Sequence, residues 1–276
     1  MDWIDALILG IVQGLAEYLP ISSSGHLEIF RQILGLDLSG ADALEFDIIL
    51  HAATVLSTIV VLWREFVPLC TSFFTWKRDD NFYYVLKILV SCIPIAIVGF
   101  CFKDFVDSFF EGNLTVVGIC LLITAGLLVF AYYFRTRRET GLSKPYYKQH
   151  GISWLDAIIM GVAQSIAVLP GLSRSGTTIA TGISLGARRE KVAQFSFFMV
   201  IIPILGETLL SVKDLLAGEG SGTVPTLSLV VGFLASFIVG CVACKWMLEI
   251  VKRGKLVWFA YYCVAIGIVC LVWNSL

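Results

Sequence analysis

The chain has 276 residues, 58% of them hydrophobic and 15% charged, with a mean hydropathy of +0.86 and a formal net charge of −1. Apolar runs of about 18 residues recur along the whole length, as spans of a roughly 30 Å hydrocarbon core require, and a soluble domain of this composition would be hard to keep in solution. The charges fall in short blocks between the apolar runs, which excludes the broad basic face that nucleic acid needs.

The first stretch, "MDWIDALILGIVQGLAEY", opens with acids rather than a basic region and has no small-residue cleavage site, so it reads as part of the membrane domain and not as a signal peptide. Residues 3–36 are too long for one span and are interrupted near their middle by proline, serine and glycine. They predict a re-entrant helix-loop-helix, a shape tolerated at depth where protein or a watery cavity covers the broken backbone. On its first helix Gln13 and Glu17 are four apart and share a face. A lone carboxylate in a membrane helix is costly and marks a pathway or a site, so Glu17 is a candidate functional residue. His26, after the turn "SSSGH", is a second; Glu28 and Arg31 read as solvated charges at the end of the element.

Three ordinary spans follow, at about 46–63, 83–101 and 114–134. His51 heads the first, with Asp47 one turn before it, and the pair is a lesser candidate for reaching the site. Lys77 and Arg78 lie between the first two spans, and Arg135, Arg137, Arg138, Lys144 and Lys148 follow the third, in a loop where His150 reads as solvated. These basic loops are cytoplasmic by the positive-inside rule, whereas "KDFVDSFFEGN" (residues 103–113) is not.

A second interrupted stretch, residues 152–187, copies the first. Trp3 matches Trp154, Asp5 matches Asp156, Gly10 matches Gly161, Gln13 matches Gln164 and Gly25 matches Gly176, each pair 151 apart; Pro20 matches Pro170 after a one-residue slip. Its turn, "LPGLSRSGTT", sets Arg174 between Ser173 and Ser175, with Gly176, Thr177 and Thr178 following. Glycines admit close backbone approach, a helix N-terminus offers free N–H groups and a positive dipole end, and arginine adds a planar fork of donors. That is the chemistry of an anion site, most simply for phosphate.

Three more spans are predicted at about 192–212, 225–243 and 257–273. Arg188, Arg189, Lys191, Lys245, Lys252, Arg253 and Lys255 place their loops on the basic side, while "KDLLAGEGSGTVP" (residues 213–225) falls on the other. Each copy is followed by three spans, an odd number, so residues 151–276 should lie upside down relative to residues 1–150. The expected fold is an all-α polytopic membrane protein with an inverted-topology repeat, each half one re-entrant element plus three transmembrane helices, and with its site near the midplane. The eight cysteines sit mostly in apolar runs; Cys241 and Cys244 are spaced CxxC without a second pair or a nearby histidine, and read as core residues.

"QGLAEYLPISSSGH" and "LPGLSRSGTT" resemble the (E/Q)xxxE and PGxSRSxxT motifs of the undecaprenyl-diphosphate phosphatase family linked to bacitracin resistance, and the likeness covers essentially the whole chain, including "FSF" at residues 195–197. The resemblance implies a bacterial inner-membrane enzyme with its site open to the periplasm or cell exterior. It would hydrolyse undecaprenyl diphosphate to undecaprenyl phosphate, the lipid carrier of cell-wall synthesis, with a divalent cation, Mg2+ or Ca2+. The first motif position here is Gln13, and an amide cannot act as a general base, which leaves it for orientation or metal contact.

On that basis Arg174 with Ser22, Ser24, Gly25, Ser173, Ser175, Gly176, Thr177 and Thr178 would hold the diphosphate. His26 would act as nucleophile through a phosphohistidine, or as base for Ser23 or water, and Glu17 would orient His26 or bind the cation. Membrane lipids are the expected surroundings, and a homodimer is compatible with small residues spread too widely to mark one interface. The rival reading is a lipid-phosphate flippase or anion carrier, which needs the anion clamp but not the Glu17 and His26 pair.

Overall fold

Asp2 and Ser153 start the two related stretches in the same way. The Asp2 carboxylate accepts from the N–H groups of Ile4 and Asp5, both at 2.8 Å, and Asp5 returns the bond to the Asp2 N–H at 3.0 Å. Ser153 accepts from the Asp156 N–H at 3.1 Å, and the Asp156 carboxylate takes the Ser153 N–H at 2.8 Å. Both are capping boxes, which satisfy donors that a helix start leaves free. They open α1 (Trp3–Ala16) and α7 (Trp154–Ile166). The two helices have 14 and 13 residues, about 20 Å at 1.5 Å per residue, too short to cross the hydrocarbon core alone.

The computed structural model describes residues 1–36, 38, 40–102, 114–140, 151–216 and 224–273. Among the described residues the chain is all helical, with no strand. After a turn at Pro20, α2 (Ser23–Ile33) begins on Ser22, which caps the Gly25 N–H; after a turn at Pro170, α8 (Arg174–Leu185) begins on Ser173, which caps the Gly176 N–H. The first half continues with α3 (Gly40–Val61), α4 (Trp63–Phe74), α5 (Asp80–Cys101) and α6 (Leu114–Thr140). The second continues with α9 (Arg189–Met199), α10 (Ile201–Leu216), α11 (Thr226–Arg253) and α12 (Val257–Trp273).

Five stretches are long and apolar enough to cross a membrane: Asp42–Val61, Asp80–Cys101, Leu114–Tyr133, Arg189–Leu209 and Thr226–Arg253. They coincide with five of the six expected spans; the sixth is α12, a helix of 17 apolar residues. Apolar side chains stand outward as well as inward, Phe100 77% exposed and Val242 65%, as lipid-facing surfaces do. The chain is a multi-pass membrane protein.

Two differences from the sequence reading have local causes. The short helix α4 was not foreseen; it carries Pro68, and its apolar residues lie along one side, with Leu69 buried. Helix α11 runs ten residues past the span expected to end at about 243, to Arg253, and stops at Gly254, whose φ of +71° a side chain would strain. The acidic stretch 103–113, the basic residues 144 and 148, and His150 lie outside the described residues.

Helix α1 lies along α11 and α7 along α5, each through a glycine. A Cβ on Gly10 would come within 2.6 Å of the Gly232 carbonyl oxygen, and one on Gly161 would overlap the Ser91 carbonyl. Gly10 and Gly161 are the equivalent positions of the two related stretches. The remaining long contacts are α3 against α11 and α6 against α12. Together they carry the ends of α1 and α7 into the interior, where the two turns meet.

Candidate functional site

The turns touch reciprocally. A Cβ on Gly25 would stand 3.1 Å from the Gly171 Cα, and one on Gly176 would stand 3.1 Å from the Pro20 Cβ. Gly171 itself has φ +88°, which a side chain would strain. Ser175 Oγ crosses to donate to the Leu19 carbonyl at 3.2 Å. The end of α1 is pinned by the buried Tyr18, whose hydroxyl donates to the Thr54 carbonyl of α3 at 2.6 Å and lies beside Ser57 and Thr58.

Glu17 is thereby held at the junction with its side chain only 7% exposed. Its Oε1 accepts from Arg174 Nη2 at 2.8 Å, and its Oε2 accepts from Ser23 Oγ at 2.8 Å and from Gln13 Nε2 at 3.0 Å. A buried carboxylate demands such partners, because an uncompensated charge there is costly. His51 Nε2 lies 3.6 Å from the same Oε2, and its Nδ1 donates to the Asp47 carbonyl at 2.9 Å. Next to this cluster is a cavity of about 20 Å³ lined by Glu17, Tyr18, Thr54, Thr58, Arg174 and Ser175, among others. That volume takes about one water.

The other predicted residues fall around this centre. Ser22 and Ser173 are the caps of the two inner helices, and each faces the serine two residues on, Ser24 at 3.4 Å and Ser175 at 3.3 Å. The first turns of α2 and α8 hold Gly25, Gly176, Thr177 and Thr178. Thr178 Oγ1 donates to the Arg174 carbonyl at 2.8 Å and meets Ser196 Oγ at 2.7 Å, which locks the start of α8 to α9. The Thr177 hydroxyl is buried without a hydrogen-bond partner.

His26 does not join Glu17. Its Nδ1 donates to the Ser22 carbonyl at 2.8 Å, and its Nε2 lies 2.8 Å from the Tyr262 hydroxyl on α12. The partnership expected between Glu17 and His26 is made instead with Ser23, and the histidine next to Glu17 is His51. Arg31 is no solvated charge: its side chain is 13% exposed and pairs with Asp47. Ser196 is the serine of the "FSF" stretch; Tyr262 was not singled out from the sequence, since it reaches the site from an apolar helix far along the chain.

For a divalent cation the donors are all oxygen. Gln13 Oε1 is buried without a partner beside the Glu17 carboxylate. No cluster of three or more His, Cys, Asp or Glu occurs among the described residues. One carboxylate and one amide oxygen suit a hard cation that draws its remaining ligands from phosphate and water, as Mg2+ does.

Comparison with known proteins bears on the same residues. The family described as "Bacitracin resistance protein BacA" matches residues 6–269. An undecaprenyl-diphosphatase of Bacteroides fragilis is 52% identical over 277 residues, covering all of both chains. One of Parabacteroides distasonis is 53% identical over 98% of this chain and 97% of its own. A Bacillus anthracis protein named undecaprenyl-diphosphatase 3 is 35% identical over 96% of each. The motifs at Gln13–His26 and Leu169–Thr178 thus sit in a match that spans nearly the whole sequence, and the chain belongs to the BacA family of bacitracin resistance proteins.

Proposed function

We propose that this protein hydrolyses undecaprenyl diphosphate to undecaprenyl phosphate and inorganic phosphate, returning the lipid carrier to cell-wall synthesis. The observation that carries the reading is the Glu17 carboxylate, which takes a hydrogen bond from Ser23 on one oxygen and from Arg174 on the other. Nucleophile, base and anion donor are then in contact, and the full-length relatives named undecaprenyl-diphosphatase agree with it. A flippase or carrier has no need of a hydroxyl paired with a buried carboxylate.

The arriving diphosphate competes with Glu17 for the guanidinium. Arg174 turns to the phosphate oxygens, helped by the N–H groups that open α2 and α8, and stabilises charge on the transferring group. Glu17 loses its strongest counter-charge and becomes more basic at the moment Ser23 needs a base. The Ser23 proton passes to Glu17 as Oγ bonds to the terminal phosphorus, and the bond to the bridging oxygen breaks with its electrons leaving on undecaprenyl phosphate. Water then attacks the phosphoserine and gives a proton to His26. The P–Oγ bond breaks, Glu17 returns the proton to Oγ, and inorganic phosphate departs with the proton that His26 took up. Glu17 and Gln13 would hold the divalent cation, Mg2+ or Ca2+, which would neutralise phosphoryl charge when bound.

The inverted repeat belongs to the same reading. Its support is the pairing of α1 with α11 and α7 with α5 through equivalent glycines, and the reciprocal contacts of the two turns. Helix α1 starts beside the beginning of α11, where Ser228 donates to the Met1 carbonyl; α7 starts near Lys87 of α5, which donates to the Ile152 carbonyl. The chain leading into α11 is acidic or neutral and that leading into α5 is basic, so the two elements enter from opposite faces of the bacterial inner membrane, with Glu17 approached from outside.

Phosphate release tests the reading in detergent micelles, where transport has no meaning. The purified protein should liberate inorganic phosphate from undecaprenyl diphosphate with added Mg2+ or Ca2+; no release under either metal would return the site to a carrier.

A further inference from the structure

His26 is 4% exposed, and both of its ring nitrogens are engaged. The Ser22 carbonyl can only accept, so Nδ1 carries the proton of the neutral ring and Nε2 presents its lone pair. The group that meets this lone pair at 2.8 Å is the Tyr262 hydroxyl, 236 residues away on α12, which must therefore donate. The two rings lie nearly parallel, 16° apart with centroids 5.6 Å distant. Two hydrogen bonds and a stacked neighbour fix the ring's tautomer and its rotation. Tyr262 is itself 40% exposed, so on this side a movable side chain stands between the buried imidazole and its surroundings.

We propose that Tyr262 is a positioning residue for the hydrolytic half of the reaction. It keeps the Nε2 lone pair of His26 unprotonated and aimed at one point, and yields that point to the water that attacks the phosphoserine. This rests on the reading of His26 as the base for water. Helix α12 packs chiefly on α6, so the bond from Tyr262 also ties the last helix of the second half to the chemistry of the first.

Tyr262→Phe keeps the ring and removes the bond. Transfer to Ser23 does not involve Tyr262, so kcat/KM should stay as in the wild type, while kcat falls about two- to tenfold, the span of one net hydrogen bond, and KM falls with it. Because the second step is slowed, more acid-stable phosphoenzyme should be trapped at steady state from substrate labelled in its terminal phosphate. The chain has three histidines, so 15N-histidine labelling gives three pairs of ring-nitrogen signals. Of the pair that disappears in His26→Ala, the Nε2 signal should move in Tyr262→Phe, a change that a purely structural tyrosine elsewhere would not produce. Wild-type kcat and wild-type phosphoenzyme in Tyr262→Phe overturn the proposal, as does a raised KM at unchanged kcat, which puts Tyr262 on the substrate. If the wild type forms no phosphoenzyme while Tyr262→Phe still lowers kcat and moves the His26 signal, the serine pathway fails and the positioning role stands.

Discussion

Glu17 and Arg174, 157 residues apart in the chain, meet at 2.8 Å between the tips of two related turns. On the proposed reading, the anion clamp is closed here on the protein's own carboxylate. Arg174→Ala should lower kcat by about 10²–10³, the usual cost of losing a preorganised donor to a developing oxyanion. Arg174→Lys should recover only part of that loss, because an ammonium cannot present the paired donors of the guanidinium. Phosphate release at saturating substrate measures both.

Glu17→Gln should behave differently from Arg174→Ala, although the two residues are partners. It removes the base, so kcat should fall by about 10²–10⁴. It also frees Arg174 from its internal competitor, so KM should drop and not rise. Initial-rate kinetics of the two variants side by side check the opposite movements.

Gln13 offers a buried amide oxygen with no partner next to Glu17. Gln13→Glu adds a second carboxylate at that point and should lower the Mg2+ or Ca2+ concentration that gives half-maximal activity, since hard cations favour charged oxygen ligands. Gln13→Ala should raise it. A metal titration of activity in chelator-treated protein reads both shifts.

The glycine contacts should be intolerant of a methyl group. Gly161→Ala places a Cβ on the Ser91 carbonyl and Gly10→Ala on the Gly232 carbonyl, backbone atoms that cannot rotate away. Each should cost about 1–3 kcal/mol of stability, as overpacking does, and lower the midpoint of thermal unfolding in detergent. Gly126→Ala, where a Cβ meets nothing within 4 Å, is the control and should leave it unchanged.

What the sequence discloses follows from which signals are local. Apolar length marks the spans because the bilayer sets a fixed distance, and the copy of one interrupted stretch in the other sets the turn that carries Glu17 against the turn that carries Arg174, although not the bond between the two side chains. The serine caps at Ser22 and Ser173 are likewise local, fixed by the turn that precedes each helix. Tyr262 is hidden for the opposite reason: its relation to the site depends on how α12 packs, and no spacing along the chain encodes a contact across 236 residues, while His51 stands out in the sequence only as a lesser candidate because its approach to Glu17 depends on how α3 packs. Arg31 was misjudged as solvated because Asp47, its partner, lies on the next helix. Helix α4 escaped because twelve residues with one apolar side carry too weak a hydropathy signal for a span.

The central claim is that Ser23 attacks phosphorus with Glu17 as its base. Rapid-quench single-turnover reactions with undecaprenyl diphosphate labelled in the terminal phosphate test it most directly. Wild-type protein should pass transiently through a covalent label that survives acid and is lost in alkali, as a phosphoserine is, and Ser23→Ala should form none. A label that acid destroys would assign the nucleophile to histidine, and phosphate release with no label, or an unchanged label in Ser23→Ala, would contradict the account.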